Sequence, residues 1–224
     1  MAFADYGTFT GILSAIAGLG TAAFGLVDST KVYRGGVSNI GFGFVRDVVT
    51  PYKPALALVN AEDPLAIVRA NWLNGMAKAD QKATVKSLIR LGLTAKTVAD
   101  LGKAAPGVDV AALTAASAKI DSGQALDEVD INVLGRFDAI VDAQMDTGFE
   151  RADQQYRNAA KVLAAIFAVI LAVVGGALLY DGLHTNTVIA SVLIGLVSVP
   201  LAPISKDLAT ALGTAVSALK AAKG

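Results

Sequence analysis

The fold is decided by residues 127–180, which read DEVDINVLGRFDAIVDAQMDTGFERADQQYRNAAKVLAAIFAVILAVVGGALLY. Residues 162–180 carry no charged side chain, and as a helix they would extend about 28 Å, close to the thickness of the hydrocarbon core of a bilayer. Residues 127–161 are polar, rich in helix-forming residues and free of proline. Because nothing between the two parts breaks a helix, the stretch predicts a polar stalk helix that is continuous with a membrane span.

Two other stretches are long and apolar enough to cross a bilayer, residues 7–27 and residues 187–204. The mean hydropathy of +0.56 is high for a soluble domain. The sequence therefore predicts an all-α integral membrane protein with three transmembrane helices and a helical cytoplasmic domain. The predicted segments are a first transmembrane helix (1–27), an interfacial segment (28–60), the helical domain (61–126), the stalk (127–161), a transmembrane hairpin (162–204) and an amphipathic cytoplasmic tail (205–224).

Small side chains recur along each predicted span, at alternating spacings of four and three residues in the first and third spans and at a spacing of four residues in the second. In lipid such stripes let helix backbones approach closely, and close packing is what holds helices together there. The alternative is that glycine and alanine are simply common in membrane spans. We predict packing faces at Gly7, Gly11, Ser14, Gly18, Thr21 and Gly25 in the first span, Ser191, Gly195, Ser198 and Ala202 in the third, and Ala160, Ala164, Ala168, Ala172 and Gly176 in the second.

Residues 28–60 contain basic residues that argue against a span, and their glycines and prolines argue against one rigid helix. Their aromatic rings, at Tyr33, Phe42, Phe44 and Tyr52, are of the kind that settle at a membrane surface. After them, residues 61–123 predict four short helices. Asp63 and Asp109 are expected to cap the first and last of these helices, and Gly123 is expected to end the last one.

The distribution of positive charge predicts the orientation. Sixteen of the nineteen Lys and Arg residues lie in 28–161 and the other three lie in 206–224. The positive-inside rule then places the N-terminus and the 181–186 turn outside, with the helical domain and the tail in the cytoplasm of a bacterial-type inner membrane. The first 27 residues contain no Lys or Arg, so the basic region of a cleavable signal peptide is missing and a retained first span is expected.

Two rows of opposite charge share a four-residue spacing, which places each row along one side of a helix. We predict that the rows dock on each other, within one subunit or between neighbours. The alternative is two unrelated solvated faces. The basic row is Lys78, Lys82, Lys86 and Arg90, and the acidic row is Asp138, Asp142, Asp146 and Glu150.

No arrangement of residues in the sequence predicts catalysis, a metal site or a cofactor. The single histidine, His184, lies in the 181–186 turn, and the chain has no cysteine. The three apolar stretches contain no Asp, Glu, His, Lys or Arg, which argues against proton relays and ion-coupled transport. Binding to nucleic acid is not expected, because the helix that would enter a groove offers only Lys96 and Lys103.

These patterns favour a non-enzymatic membrane scaffold that forms a homo-oligomer through its small-residue faces and charged stalk contacts. Two alternatives stay open: a pore-forming or membrane-perturbing effector, and an accessory subunit of a larger membrane complex. The expected partners are membrane lipids, further copies of the chain and, in the accessory role, other membrane subunits.

Overall fold

The computed structural model describes the backbone of residues 4–223 and the side chains of residues 8–204 together with Asp207, Thr210, Ala211, Thr214 and Ala215. Within these residues all regular secondary structure is helical, with no strand. The α-helices are α1 (Ala4–Ser29), α2 (Asn39–Val49), α3 (Lys53–Leu56), α4 (Ala66–Leu73), α5 (Lys78–Leu91), α6 (Val98–Ala104), α7 (Val110–Ser122), α8 (Glu128–Leu179) and α9 (Thr185–Lys223). Short 3-10 helices lie at Thr30–Val32, Gly36–Ser38 and Thr50–Tyr52.

Three helical segments of the described chain are long and apolar enough to cross a membrane: Thr8–Val32, α8 and Thr185–Ile204. The prediction of an all-α protein with three candidate membrane helices is confirmed at this level. Helix α8 runs without interruption through the polar and apolar parts of residues 128–179. Helix α9 continues through Pro200 and Pro203 into the tail; the tail's predicted apolar side chains, Leu208, Leu212, Val216 and Leu219, lie outside the described residues.

The chain divides into two compact units. The span unit comprises Met1–Val37 with Arg157–Gly224, and the core unit comprises Ser38–Tyr156. Helices α1 and α9 pack along each other in the span unit. A Cβ on Gly20 of α1 would lie 2.5 Å from the Ala202 Cβ and 2.6 Å from the Ser198 carbonyl oxygen. Only a glycine permits this approach of the two helices.

The core unit packs α2 to α7 around the polar half of α8. Its apolar centre includes Phe137, Met145 and Phe149 of α8, all essentially inaccessible to solvent. Tyr52 is also fully buried, and its hydroxyl donates to Gln144 Oε1 (2.6 Å), whose amide nitrogen donates to the Ala104 carbonyl (3.1 Å). Burial raises the pKa of Tyr52 to about 12 because the phenolate would lose its hydration.

Residues 28–60, the predicted interfacial segment, are partly buried in the structure. Val45, Val49 and Tyr52 are fully buried in the core unit and do not present an amphipathic surface. Tyr33 is 81% exposed, so of the predicted interfacial rings it alone is largely open to solvent. The glycines and prolines exclude one long helix, and α2 packs on α8, where Gly41 lies against the Ala152 carbonyl.

The caps of α7 are confirmed. The Asp109 carboxylate accepts hydrogen bonds from the backbone N–H groups of Ala111 (2.9 Å) and Ala112 (3.1 Å), and Gly123 ends the helix at φ 70°, a left-handed conformation. Asp63 acts differently, because α4 begins only at Ala66 and the Asp63 carboxylate pairs with Arg69 (3.2 Å).

Candidate functional site

The two predicted charge rows meet inside one chain, where they form a paired seam between α5 and α8. The Lys86 ammonium lies 3.0 Å from Asp142 Oδ1, and the Arg90 guanidinium contacts both oxygens of Asp138, with Nε 3.0 Å from Oδ1. Lys82 pairs with Asp146, and Lys78 pairs with Glu150. The residue numbers rise along α5 as those of their partners fall along α8, so the helices run antiparallel at the seam. All four ion pairs form because the basic and acidic rows have the same four-residue spacing.

The two lysines in the middle of the seam are largely shielded from solvent. The Lys82 and Lys86 side chains are 22% and 25% exposed, whereas their carboxylate partners are about half exposed. The hydrogen bond between Lys82 and Asp146 raises the pKa of the ammonium and lowers the pKa of the carboxyl. Both groups therefore stay charged at neutral pH, so the ion pair between them is kept.

The seam does not resemble a ligand site. Beside it runs a groove formed by Ala79, Ala83 and Ser87, but the basic groups that border this groove are those already paired with α8 carboxylates. Among the described residues no group of three His, Asp or Glu side chains is arranged to hold a metal ion. The contacts of the seam are structural, between two helices of one chain.

A second polar cluster fixes the start of α8. The Asp127 and Asp130 carboxylates each accept the other residue's backbone N–H, at 3.0 and 2.9 Å, which is a reciprocal cap of the helix. The Lys119 ammonium bridges both carboxylates, at 2.9 Å from Asp127 and 2.5 Å from the buried Asp130. The hydrogen bond from Lys119, followed by that from the Asp130 backbone, lowers the pKa of Asp127 to about 2.

This lowered pKa predicts a pH dependence of stability. The ordinary pKa of an aspartate is about 4. Because the folded-state pKa is lower, the contribution of Asp127 to the free energy of unfolding is fully present above that pH and is lost as the pH falls towards 2. We expect Asp127→Asn to flatten the fall in stability between these limits, measured by denaturant unfolding at a series of pH values. Glu128→Gln serves as the control; equal flattening in both variants would contradict the assignment to Asp127.

The small-residue stripe of α1 is open, in contrast to the side of the same helix that packs on α9. Its described members are all exposed. A Cβ on Gly11, Gly18 or Gly25 would meet no atom within 4 Å. Gly7 lies outside the residues whose side-chain surroundings are described. The exposed members are Gly11, Ser14, Gly18, Thr21 and Gly25.

The stripe of α9 has the opposite environment, because all its members are buried within the chain. A Cβ on Gly195 would lie 2.5 Å from the Cα of Val169 in α8, and the Ser191 hydroxyl fits against Gly176, a member of the predicted α8 ridge. Ser198 and Ala202 face α1 at Gly20. The stripe thus packs α9 against α8 at one end and against α1 at the other; its members are Ser191, Gly195, Ser198 and Ala202.

Sequence reasoning missed the side of α1 that contacts α9 at Gly20 and that also carries the buried residues Ala23 and Val27. There was little indication of this side in the sequence, because its small residues occupy only part of the helix. It also missed the glycine contacts of the core unit, where Gly148 of α8 leaves room for Val48 of α2.

The chain matches no protein-family model, and no curated protein or solved structure shows significant similarity to it.

Proposed function

We propose that this chain is a non-enzymatic membrane scaffold that assembles into a homo-oligomer through the exposed small-residue stripe of α1. The observation that carries the proposal is the unequal use of the stripes. The residues of the α9 stripe are buried against α8 and α1 of the same chain. In the α1 stripe, a Cβ added to any of the three described glycines would have no atom within 4 Å.

The α1 stripe is suited to a second copy of the same helix. Successive residues of an α-helix are rotated by about 100°, so the stripe lies well away from the Gly20 side that packs on α9. A helix can therefore contact α9 and a neighbouring copy at the same time. Small residues permit backbones to approach closely in lipid, where dispersion contacts and weak hydrogen bonds supply the attraction.

The charged seam changes one part of the sequence hypothesis. Its four carboxylates are paired with bases of the same chain, so we assign the contact between copies to α1 and the role of the seam to holding the core unit together.

A pore would require a polar lining in at least one span. The Thr21 hydroxyl, one of the few candidates for such a lining, donates to the Ala17 carbonyl of its own helix (2.8 Å). The hydroxyl's single donor is used within its own helix, which supports a scaffold over a pore.

We place the protein in a bacterial-type inner membrane with its N-terminus outside and its core unit and tail in the cytoplasm. The uneven distribution of Lys and Arg supports this orientation.

Labelling of introduced cysteines tests the orientation. Because the chain has no cysteine, a single introduced thiol is the only site that a maleimide can label. Asn186→Cys should react with an impermeant maleimide from outside and Gln124→Cys only after permeabilisation; the reverse pattern would relocate the core unit.

Cross-linking in native membranes tests self-association at the stripe. Oxidation of Gly18→Cys should give a covalent dimer, because facing stripe positions come within the Cα separation of about 4.4–6.8 Å that a disulfide needs. Leu19→Cys is the matched control, at the same depth but about 100° around the helix. Equal dimer yields from both variants would mean random collision and would contradict the proposed interface.

A further inference from the structure

The core unit carries aromatic and arginine side chains on α2, α4 and the last part of α8 that belongs to this unit. The Arg151 guanidinium carbon lies 4.8 Å from the ring centroid of Phe44, and that of Arg69 lies 5.7 Å from the centroid of Phe42. Trp72 and Tyr156 meet edge to face with their centroids 6.5 Å apart. We call these side chains the aromatic–arginine cluster; it consists of Phe42, Phe44, Arg69, Trp72, Arg151 and Tyr156.

The cluster is held in place by the backbone around it. The Trp72 indole N–H donates to the Ser38 carbonyl (2.6 Å). Gly41 stands at φ +102°, and a side chain there would collide with the Ala152 carbonyl of α8. The glycine thus lets the first turn of α2 lie directly on α8, which brings Phe42 and Phe44 to the arginines. The rings and the guanidinium groups are therefore arranged before any ligand binds.

A guanidinium that lies over the face of a ring is still able to bind an anion. Its N–H donors lie in the plane of the group and point outward from its edges, in a fork that matches two oxygens of a phosphate. Arg69 and Arg151 are both exposed. Arg69 also pairs with Asp63 at 3.2 Å, so a phosphate at Arg69 would share that guanidinium with a carboxylate.

The position of the cluster in the chain indicates the source of the phosphate. Tyr156 precedes the uncharged stretch at residue 162 by six residues, and a chain of this length reaches no more than about 20 Å even when extended. Tryptophan, tyrosine and arginine are the side chains that settle among lipid headgroups. Arginines at this level carry the charge that attracts anionic lipid.

We propose that the aromatic–arginine cluster binds the phosphate of an anionic lipid headgroup. The inference rests on the membrane location given under the proposed function, but it does not depend on self-association. It adds a lipid specificity, in which the two guanidinium groups select lipid of net negative charge over zwitterionic lipid.

The test uses the full chain in mild detergent, with thermal unfolding followed as phosphatidylglycerol or phosphatidylcholine is added. A ligand that binds only the folded state raises the melting temperature. The wild type should be stabilised more by phosphatidylglycerol than by phosphatidylcholine, and the difference should be lost in the double variant Arg69→Gln/Arg151→Gln. The matched control is Lys96→Gln/Lys103→Gln, which removes the same charge from exposed positions outside the cluster and should keep the difference.

Arg151→Lys provides a second variant should the double variant fold poorly, because it keeps the charge and removes the planar fork; its lipid difference should be smaller than that of the wild type. Equal stabilisation by the two lipids, a full difference retained in either arginine variant, or reproduction of the effect by inorganic phosphate alone would overturn the proposal. Flotation of the wild type with phosphatidylcholine vesicles tests the membrane location separately. If the chain floats with the vesicles but is stabilised equally by the two lipids, the membrane location stands and only the inference about the cluster is wrong.

Discussion

Replacing both Asp142 and Asp146 by lysine is expected to destabilise the core unit strongly. The substitutions place new positive charges opposite Lys82 and Lys86, whose side chains are largely shielded from water, so repulsion replaces two ion pairs. We expect the melting temperature to fall on the order of 5 °C or more at low salt, and by less at high salt, where charges are screened within a few ångströms.

The reciprocal change distinguishes pairing from general charge effects. Adding Lys82→Glu and Lys86→Glu to the reversed chain should recover most of the lost stability, because each pair is then exchanged and not removed. A control with the same change in charge is Asp47→Lys/Asp100→Lys, at exposed carboxylates with only local partners. If the fourfold variant is no more stable than the twofold one, the seam does not hold α5 on α8.

Gly195→Ala is expected to loosen the packing of α9 on α8. The added Cβ would fall 2.5 Å from the Val169 Cα and 2.7 Å from its nitrogen. These are backbone atoms of another helix, so no change of rotamer can relieve the clash. Overpacking of this kind costs about 1–3 kcal/mol, or roughly 2–4 °C in melting temperature for each kcal/mol in a chain of this size.

The matched control is Gly175→Ala, in α8, where a Cβ meets no atom within 4 Å. Alanine favours a helix over glycine, so this variant should be as stable as the wild type or slightly more stable. Melting temperatures in mild detergent, followed by size-exclusion chromatography after heating, compare the two. Similar melting of both variants would show that α8 and α9 do not approach at Gly195.

The elements predicted best from the sequence were those set by local chemistry. An uncharged run of bilayer length, with no helix-breaking residue before it, was sufficient to predict that α8 is one continuous helix. The caps of α7 followed in the same way, because Asp109 and Gly123 satisfy the helix ends through contacts within a few residues. The equal spacing of the two charge rows also suggested that they would meet.

Long-range packing was harder to predict. A glycine pattern shows that a backbone is open to close approach but does not identify what approaches it. The regular α1 stripe stays exposed, whereas Gly20, outside that stripe, contacts α9. Tyr52 looked like an interfacial ring because its hydroxyl is polar, but Gln144, distant in sequence, satisfies that hydroxyl inside the core.

The native mass of the full-length chain in mild detergent tests the central claim, self-association through α1, most directly. We predict one defined homo-oligomer for the wild type and a smaller assembly for Gly18→Leu, because a bulky side chain on the stripe separates the backbones. Leu19→Ala should keep the wild-type mass. A wild type that is monomeric at every concentration, or a Gly18→Leu variant with unchanged mass, would contradict the claim.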